Sequence, residues 1–144
     1  MKKAVNEFPI LKKYGNQGSV ELKKGFNLNH QLNSVAKLPG VYLIYRKAKK
    51  GKNLVYIGRS GTMNLLGKFG KQNLKKRLVM KQKGIRRAIF FEEILSQPDV
   101  QSLKIYWFVT FEDAIRDLPS FVEAQLMQQY FDQNGSLPAW NRKF

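Results

Sequence analysis

The sequence contains no cysteine and only one histidine, His30, and it has no apolar run long enough to cross a bilayer. The absence of cysteine excludes disulfides and cysteine-based zinc sites. The sequence shows no Ser-His-Asp or Cys-His arrangement, which argues against a covalent hydrolase. It also shows no phosphate-binding loop and no dinucleotide fingerprint. The basic N-terminal stretch lacks the apolar core of a signal peptide, so we expect a cytoplasmic protein without a membrane partner.

Acidic residues are missing from the whole middle of the chain. Residues 22–91 carry eighteen basic side chains and no Asp or Glu, whereas residues 92–144 carry four basic and eight acidic ones. The formal net charge of +16 is therefore concentrated in the middle block. A field of one sign repels itself unless a polyanion neutralises it, and neutralising phosphates releases counterions, so nucleic acid is the expected partner. A basic RNA- or ribosome-binding protein is the alternative.

The apolar patterns predict a small mixed domain. With 144 residues, 43% of them hydrophobic, the chain can bury one ordinary core. The apolar spacing predicts four helices, at about 30–37 (capped by Asn29), 72–83, 85–96 and 119–134. Three continuous apolar runs predict strands at about 40–46, 54–58 and 103–109. We predict an α+β fold with a small three-stranded antiparallel sheet flanked by helices. The domain spans residues 37–144, and residues 1–36 pack on it as an arm.

Two tyrosines lie on the predicted hairpin formed by the first two strands. Paired residues of an antiparallel hairpin have a constant sum of residue numbers, and an even sum places Tyr42 and Tyr56 on the same face. Taken singly, each tyrosine is better interpreted as an ordinary core residue with a satisfied hydroxyl group.

Two charged residues lie among apolar ones on predicted helices. Glu123 shares a helical stripe with Met127 and Tyr130, and a carboxylate on such a stripe needs a cation or an ion-pair partner. A salt bridge to one of the many Lys or Arg side chains is the simple alternative. Arg77 follows Leu74 by three residues within a basic helix and could equally be solvated.

The chemistry that best fits a polyanionic partner is phosphodiester hydrolysis by metal-assisted attack of water. This reaction needs a carboxylate for a hard cation, a base for the water and a positive charge for the developing phosphorane. Glu123, a tyrosine and Arg77 could supply these three functions.

Five short elements occur in order along residues 40–141: Gly40-Val41-Tyr42, Tyr56-Ile57-Gly58, Asn73-Leu74-Lys75-Lys76-Arg77-Leu78, Glu123 within FVEAQLM, and Pro138-Ala139-Trp140-Asn141. In this order they resemble the signature of the GIY-YIG nuclease family, here as a stand-alone catalytic domain. The resemblance implies an endonuclease that hydrolyses DNA with Mg²⁺ or Mn²⁺, of restriction, repair or recombination type. It further implies a bacterial or phage-like, nucleoid-associated setting, and a monomer or transient dimer on double-stranded or branched DNA.

The resemblance also implies a role for each matching residue. Glu123 would hold the metal, Tyr42 would act as general base and Tyr56 would orient water or phosphate. Arg77 would stabilise the transition state, and Asn141 would support the site.

A further set of basic residues is expected to bind nucleic acid: Arg59, Lys68, Lys71, Lys75, Lys76 and Lys81. Loop 59–71 is longer than the family's usual spacing and resembles an insertion, and Lys81 stands where many members have histidine. A nucleic-acid-binding module that has kept the fold without the activity is the alternative of a different class.

Overall fold

The computed structural model describes residues 2–79, 81–82, 85–142 and 144. An antiparallel four-stranded sheet with helices on both faces forms an α+β fold. Its strands run in the order β1-β6-β2-β3, and β4 and β5 form a separate two-stranded ribbon. The strands are β1 (Gln17–Leu22), β2 (Gly40–Ala48), β3 (Gly51–Ser60), β4 (Lys81–Gln82), β5 (Ile85–Arg86) and β6 (Val100–Val109).

The α-helices are α1 (Lys2–Glu7), α2 (Leu28–Gln31), α3 (Leu74–Val79), α4 (Arg87–Leu95) and α5 (Pro119–Asn134), with 3₁₀ helices at Pro9–Lys13 and Leu32–Ser34. Helix α5 has its predicted bounds, and Gly135 ends it with a left-handed φ of 72°. Within the described ranges, no helix is long and apolar enough to span a membrane.

The prediction of a three-stranded sheet is wrong, because β1 adds a fourth strand from the region expected to be an arm. Strand β1 pairs with β6 along its whole length, from Gln17 opposite Phe108 to Leu22 opposite Leu103. Its apolar signal consists of only two buried side chains, Val20 and Leu22. A signal this short does not reveal a strand until its partner is known.

The side chains of β2 alternate between two cores. Val41, Leu43 and Tyr45 pack under α5 and the N-terminal helices, whereas Tyr42 and Ile44 face α3 and α4. Both faces are covered, which explains why the strand is apolar without a break.

The hairpin of β2 and β3 has the even register that places its two tyrosines on one face. Tyr42 lies opposite Gly58 and Ile44 lies opposite Tyr56, so the tyrosines are diagonal neighbours. A β-bulge at Val55 shifts the register beyond this point. Both strands extend further than predicted, leaving Lys49 and Lys50 as the connection between them.

Three predicted helical segments differ in the structure. Asn27, rather than Asn29, caps α2 by accepting a hydrogen bond from the His30 backbone N–H at 3.1 Å. The predicted helix 85–96 is α4, which begins at Arg87 and buries Arg87, Phe90 and Phe91, whereas Ile89 is 40% exposed. The predicted helix 72–83 is shorter in the structure, where α3 spans Leu74–Val79 and Lys81–Gln82 form strand β4.

Gly58 is required by its neighbours, because a Cβ atom there would lie 2.5 Å from Cζ of Tyr42 and 2.6 Å from Cε2 of Tyr56. We predict that Gly58→Ala lowers the free energy of unfolding by about 2 kcal/mol, as overpacking does elsewhere. Gly70→Ala is the matched control, since a Cβ at Gly70 would meet nothing within 4 Å. Chemical denaturation measures both variants, and equal stability of the two would contradict this packing.

Candidate functional site

The site lies at the open edge of β3, where the C-terminal tail meets the sheet. The Trp140 backbone N–H donates to the carbonyl of Val55 at 2.8 Å. The Asn141 side chain donates from Nδ2 to the carbonyl of Ile57 at 2.9 Å and accepts from its N–H at 3.0 Å. Asn141 therefore takes the place of a neighbouring strand and satisfies the backbone of the edge.

A cleft of about 240 Å³ opens beside this edge. It is lined by Tyr56, Arg59, Ser60, Gly61, Thr62, Gln72, Arg77, Glu123, Asn141 and Phe144. Four of the five residues predicted to be catalytic thus share one cleft. The fifth, Tyr42, lies next to Tyr56, with a ring-centroid distance of 5.9 Å.

A buried arginine that the sequence patterns did not reveal lies beside the two tyrosines. Arg87 is 2% exposed, and its Nη2 donates to the Tyr42 hydroxyl at 3.0 Å. Its guanidinium lies 5.6 Å from the ring centroid of Tyr42 and 5.5 Å from that of Tyr56, within cation–π range. Among the described residues no carboxylate forms a salt bridge with it. The available signal was its spacing of three and four residues from Phe90 and Phe91.

The Tyr42 hydroxyl is protonated at neutral pH. Burial raises its pKa to about 12, and although Arg87 and Arg77 oppose the rise, Tyr56 adds to it. At Tyr42 the loss of solvent therefore outweighs the two nearby arginines. Tyr56 is the tyrosine that lines the cleft.

Glu123 lies on the inner side of α5, and its side chain is 13% exposed. Its carboxylate Oε1 pairs with Nε of Arg59 at 3.2 Å. Burial raises the pKa of Glu123, while Arg59 and, more weakly, Arg77 oppose the rise. The salt bridge that sequence reasoning left open is therefore present, and Arg59 points to this carboxylate.

Two buried polar atoms at the cleft have no hydrogen-bond partner among the described residues, Nε of Arg77 and Oε1 of Gln72. Buried polar groups are normally satisfied, so unpaired ones at a cleft indicate a place for water or a ligand. Arg77 is positioned by α3, whose Leu74 and Leu78 are buried and whose Lys76 N–H is capped by Asn73.

The donor set fits a magnesium-like ion with few protein ligands. Among the described residues, no group of three or more His, Cys, Asp or Glu side chains is gathered that could form a cage. Mg²⁺ usually keeps several waters and takes one or two carboxylates together with substrate phosphates. A cleft of about 240 Å³ can hold several waters at about 30 Å³ each. Glu123 could hold such an ion once Arg59 has moved away.

Half of the six basic residues expected to bind nucleic acid are exposed, on segments that adjoin the cleft-lining residues Gln72 and Arg77 along the chain. Lys68 and Lys71 are exposed on loop 61–71, and Lys76 is exposed on α3, where Lys75 is partly covered. The side chain of Lys81 lies outside the described residues, as do Lys83 and Gly84 at the end of the predicted helix 72–83.

Comparison with protein-family models, with curated proteins and with solved structures finds no match to this chain. The resemblance to the GIY-YIG family therefore remains a prediction carried by the motif residues.

Removing the two partners of the Arg87–Tyr42 pair should have unequal consequences for stability. Tyr42→Phe leaves a buried guanidinium without its acceptor and should lower the free energy of unfolding by about 1–3 kcal/mol. Arg87→Met leaves only a neutral hydroxyl group unsatisfied and removes a buried charge that has no carboxylate partner among the described residues, so its loss of stability should be smaller.

The double variant Tyr42→Phe/Arg87→Met is the internal control and should be more stable than Tyr42→Phe alone. Chemical denaturation of the three variants and the wild type measures the cycle. The alternative outcome is that Arg87→Met lowers the free energy of unfolding as much as Tyr42→Phe and that the two losses add in the double variant. This outcome would show that the buried charge of Arg87 does not destabilise the fold.

Proposed function

We propose that this protein is a divalent-metal-dependent endonuclease of the GIY-YIG type that hydrolyses phosphodiester bonds in DNA. The observation that supports this most strongly is the convergence at one cleft. Tyr56 from β3, Arg77 from α3 and Glu123 from α5 line it, and Tyr42 from β2 lies against Tyr56. The sequence motifs single out these same four residues without reference to their positions in space.

The charges at the cleft match a polyanionic substrate. Glu123 is the one acidic side chain among the described residues that line it, while Arg59 and Arg77 supply positive charge. The surrounding block of residues 22–91 has no acidic side chain. A phosphate entering this cleft therefore meets cationic groups and one carboxylate that can hold its counter-ion.

Each residue has a role that follows from where it lies. Arg77, with an unpaired buried Nε, can donate to a phosphate oxygen and stabilise the charge that develops in the transition state. Tyr56 lines the cleft and can hold the attacking water by hydrogen bonding. A divalent ion on Glu123 would supply further positive charge for the reacting phosphate and leaving oxygen.

Burial of Tyr42 favours a supporting role over direct contact with water. The resemblance gives the role of general base to this residue, but its side chain is fully buried and its pKa is raised to about 12. Its ring packs against Tyr56, and its hydroxyl accepts from Arg87. We therefore propose that Tyr42 and Arg87 fix the orientation of Tyr56, which contacts the reacting groups.

Arg59 controls access to the carboxylate. Its guanidinium occupies Oε1 of Glu123, so a cation can take both carboxylate oxygens only when Arg59 turns to another anion. A DNA phosphate at the cleft is such an anion, so substrate binding would free Glu123 for the metal ion. The same ion pair also suits a module that binds DNA without cutting it, since the carboxylate already has a partner.

Cleavage of a supercoiled plasmid in magnesium and in manganese distinguishes these two functions. We predict metal-dependent nicking by the wild type and a loss of about a thousandfold in Glu123→Ala, because Glu123 is the carboxylate that holds the ion. Glu93→Ala is the matched control, since Glu93 is an exposed carboxylate on α4 and should be dispensable. Salt-sensitive DNA binding should persist in both variants. Tight binding by the wild type without nicking in either metal would favour the silent module.

The pH dependence of nicking tests the contact between Arg59 and Glu123. Arg59 lowers the pKa of Glu123, so Arg59→Ala should raise it. Since the ionised carboxylate binds the metal ion, the acid limb of the pH–rate profile should move to higher pH in this variant. Arg116→Ala removes an exposed arginine outside the cleft and should leave the profile in place. A shift of the Arg59→Ala profile to lower pH would contradict the ion pair.

A further inference from the structure

Two leucines at the tip of loop 61–71 are exposed to solvent. Leu65 is 100% exposed and Leu66 is 79% exposed, the highest values among the exposed large hydrophobic residues described. Exposing adjacent leucines to this degree gives up the free energy of burying them. We call this pair the leucine tip.

The loop holds the leucine tip in a defined shape. The side-chain Oδ1 of Asn64 accepts from the backbone N–H of Leu66 at 2.9 Å and of Lys68 at 3.0 Å. The Asn64 N–H donates to the carbonyl of Lys68 at 2.8 Å. Phe69 anchors the loop by packing edge-on against Phe111, with a ring-centroid distance of 4.8 Å. The leucines therefore project outward from an ordered turn.

The loop leaves and re-enters the fold at the cleft. Gly61 and Thr62 line the cleft at its start and Gln72 lines it just beyond its end. The Gly70 N–H donates to the carbonyl of Thr62 at 3.3 Å and closes the stem. At about 3.3 Å per extended residue, the tip reaches on the order of 10 Å from Thr62 at the rim.

The charges around the leucine tip select the class of partner. Lys68 and Lys71 flank it and are exposed, and the sequence has no acidic residue between positions 22 and 91. Phosphates bound by these lysines would bring the tip against the bases of the same duplex. Apolar side chains projecting from a phosphate-binding surface are the means by which some proteins enter a base step and unstack it.

We propose that Leu65 and Leu66 form a wedge that enters between stacked base pairs of duplex DNA bound at the cleft, unstacking one step and kinking the duplex. The inference rests on the proposed function, because it requires DNA at the cleft. Pyrimidine–purine steps unstack most readily, so the wedge confers a preference for TA and CA/TG steps near the cut phosphate. The lysines bind phosphates of any sequence, and the wedge adds selection for DNA steps that are easily deformed.

The test uses the full chain carrying Glu123→Ala, without divalent metal, so that the DNA stays intact. Duplexes with 2-aminopurine at successive positions around TA and CA steps report unstacking as a rise in fluorescence. We expect a rise at one step, and its loss when Leu65→Ser and Leu66→Ser are added. Affinity should fall about tenfold, since the burial of two leucines is partly offset by the cost of unstacking. The salt dependence of binding should be retained, because the lysines remain.

Two controls separate the wedge from a general apolar contact with DNA and from damage to the fold. Phe131→Ser removes a half-exposed aromatic side chain from α5 and should leave the fluorescence rise unchanged. The leucine substitutions should not lower the free energy of unfolding, because both side chains are in water. Metal-dependent plasmid nicking by the wild type tests the proposed function separately.

Salt-sensitive DNA binding without a fluorescence rise at any position would overturn the wedge and leave the endonuclease proposal standing. Absence of both DNA binding and nicking would overturn both. Sedimentation of the protein without DNA measures whether the chain dimerises through the leucine tip. A wild type that dimerises without DNA, and a monomeric Leu65→Ser/Leu66→Ser variant, would assign the tip to a contact between copies of the chain and overturn the wedge.

Discussion

The register between β2 and β3 is the constraint on which the site depends. With Tyr42 opposite Gly58 and Ile44 opposite Tyr56, the two tyrosines are diagonal neighbours on one face. A slip of one residue would send one of them to the other core. The missing side chain at position 58 gives the Tyr42 ring its space. A fixed register therefore places Tyr56 in the wall of the cleft, with Tyr42 packed behind it.

The site places charges where the fold alone would not favour them. Arg87 is buried against a tyrosine hydroxyl group and two aromatic rings. Burial raises the pKa of Glu123, and Arg59 opposes this rise. Burying charge costs free energy even when it is paired. A protein that needs only a stable core gains little from such groups, whereas a site for phosphate and a cation needs both signs close together.

The sequence predicted those parts of the molecule whose signals are local. Strand β2 shows a long, continuous apolar run, and α5 is bounded by a proline at its start and a glycine after its end. The inward position of Glu123 followed from helical spacing. Strand β1 was missed because two apolar residues are too few to show a strand. Arg87 was missed because its burial depends on the diagonal pair of tyrosines, which only the folded sheet brings together.

We propose that side chains from separate elements act together as one metal-dependent site, and a double-mutant cycle in plasmid nicking tests this cooperation. Tyr56→Phe and Arg77→Lys are mild changes on β3 and α3, both at the cleft. Residues that act as a unit are not additive in kinetics. We predict that the double variant is faster than the product of the two single effects would allow. Single effects that multiply fully in the double variant would contradict a shared site.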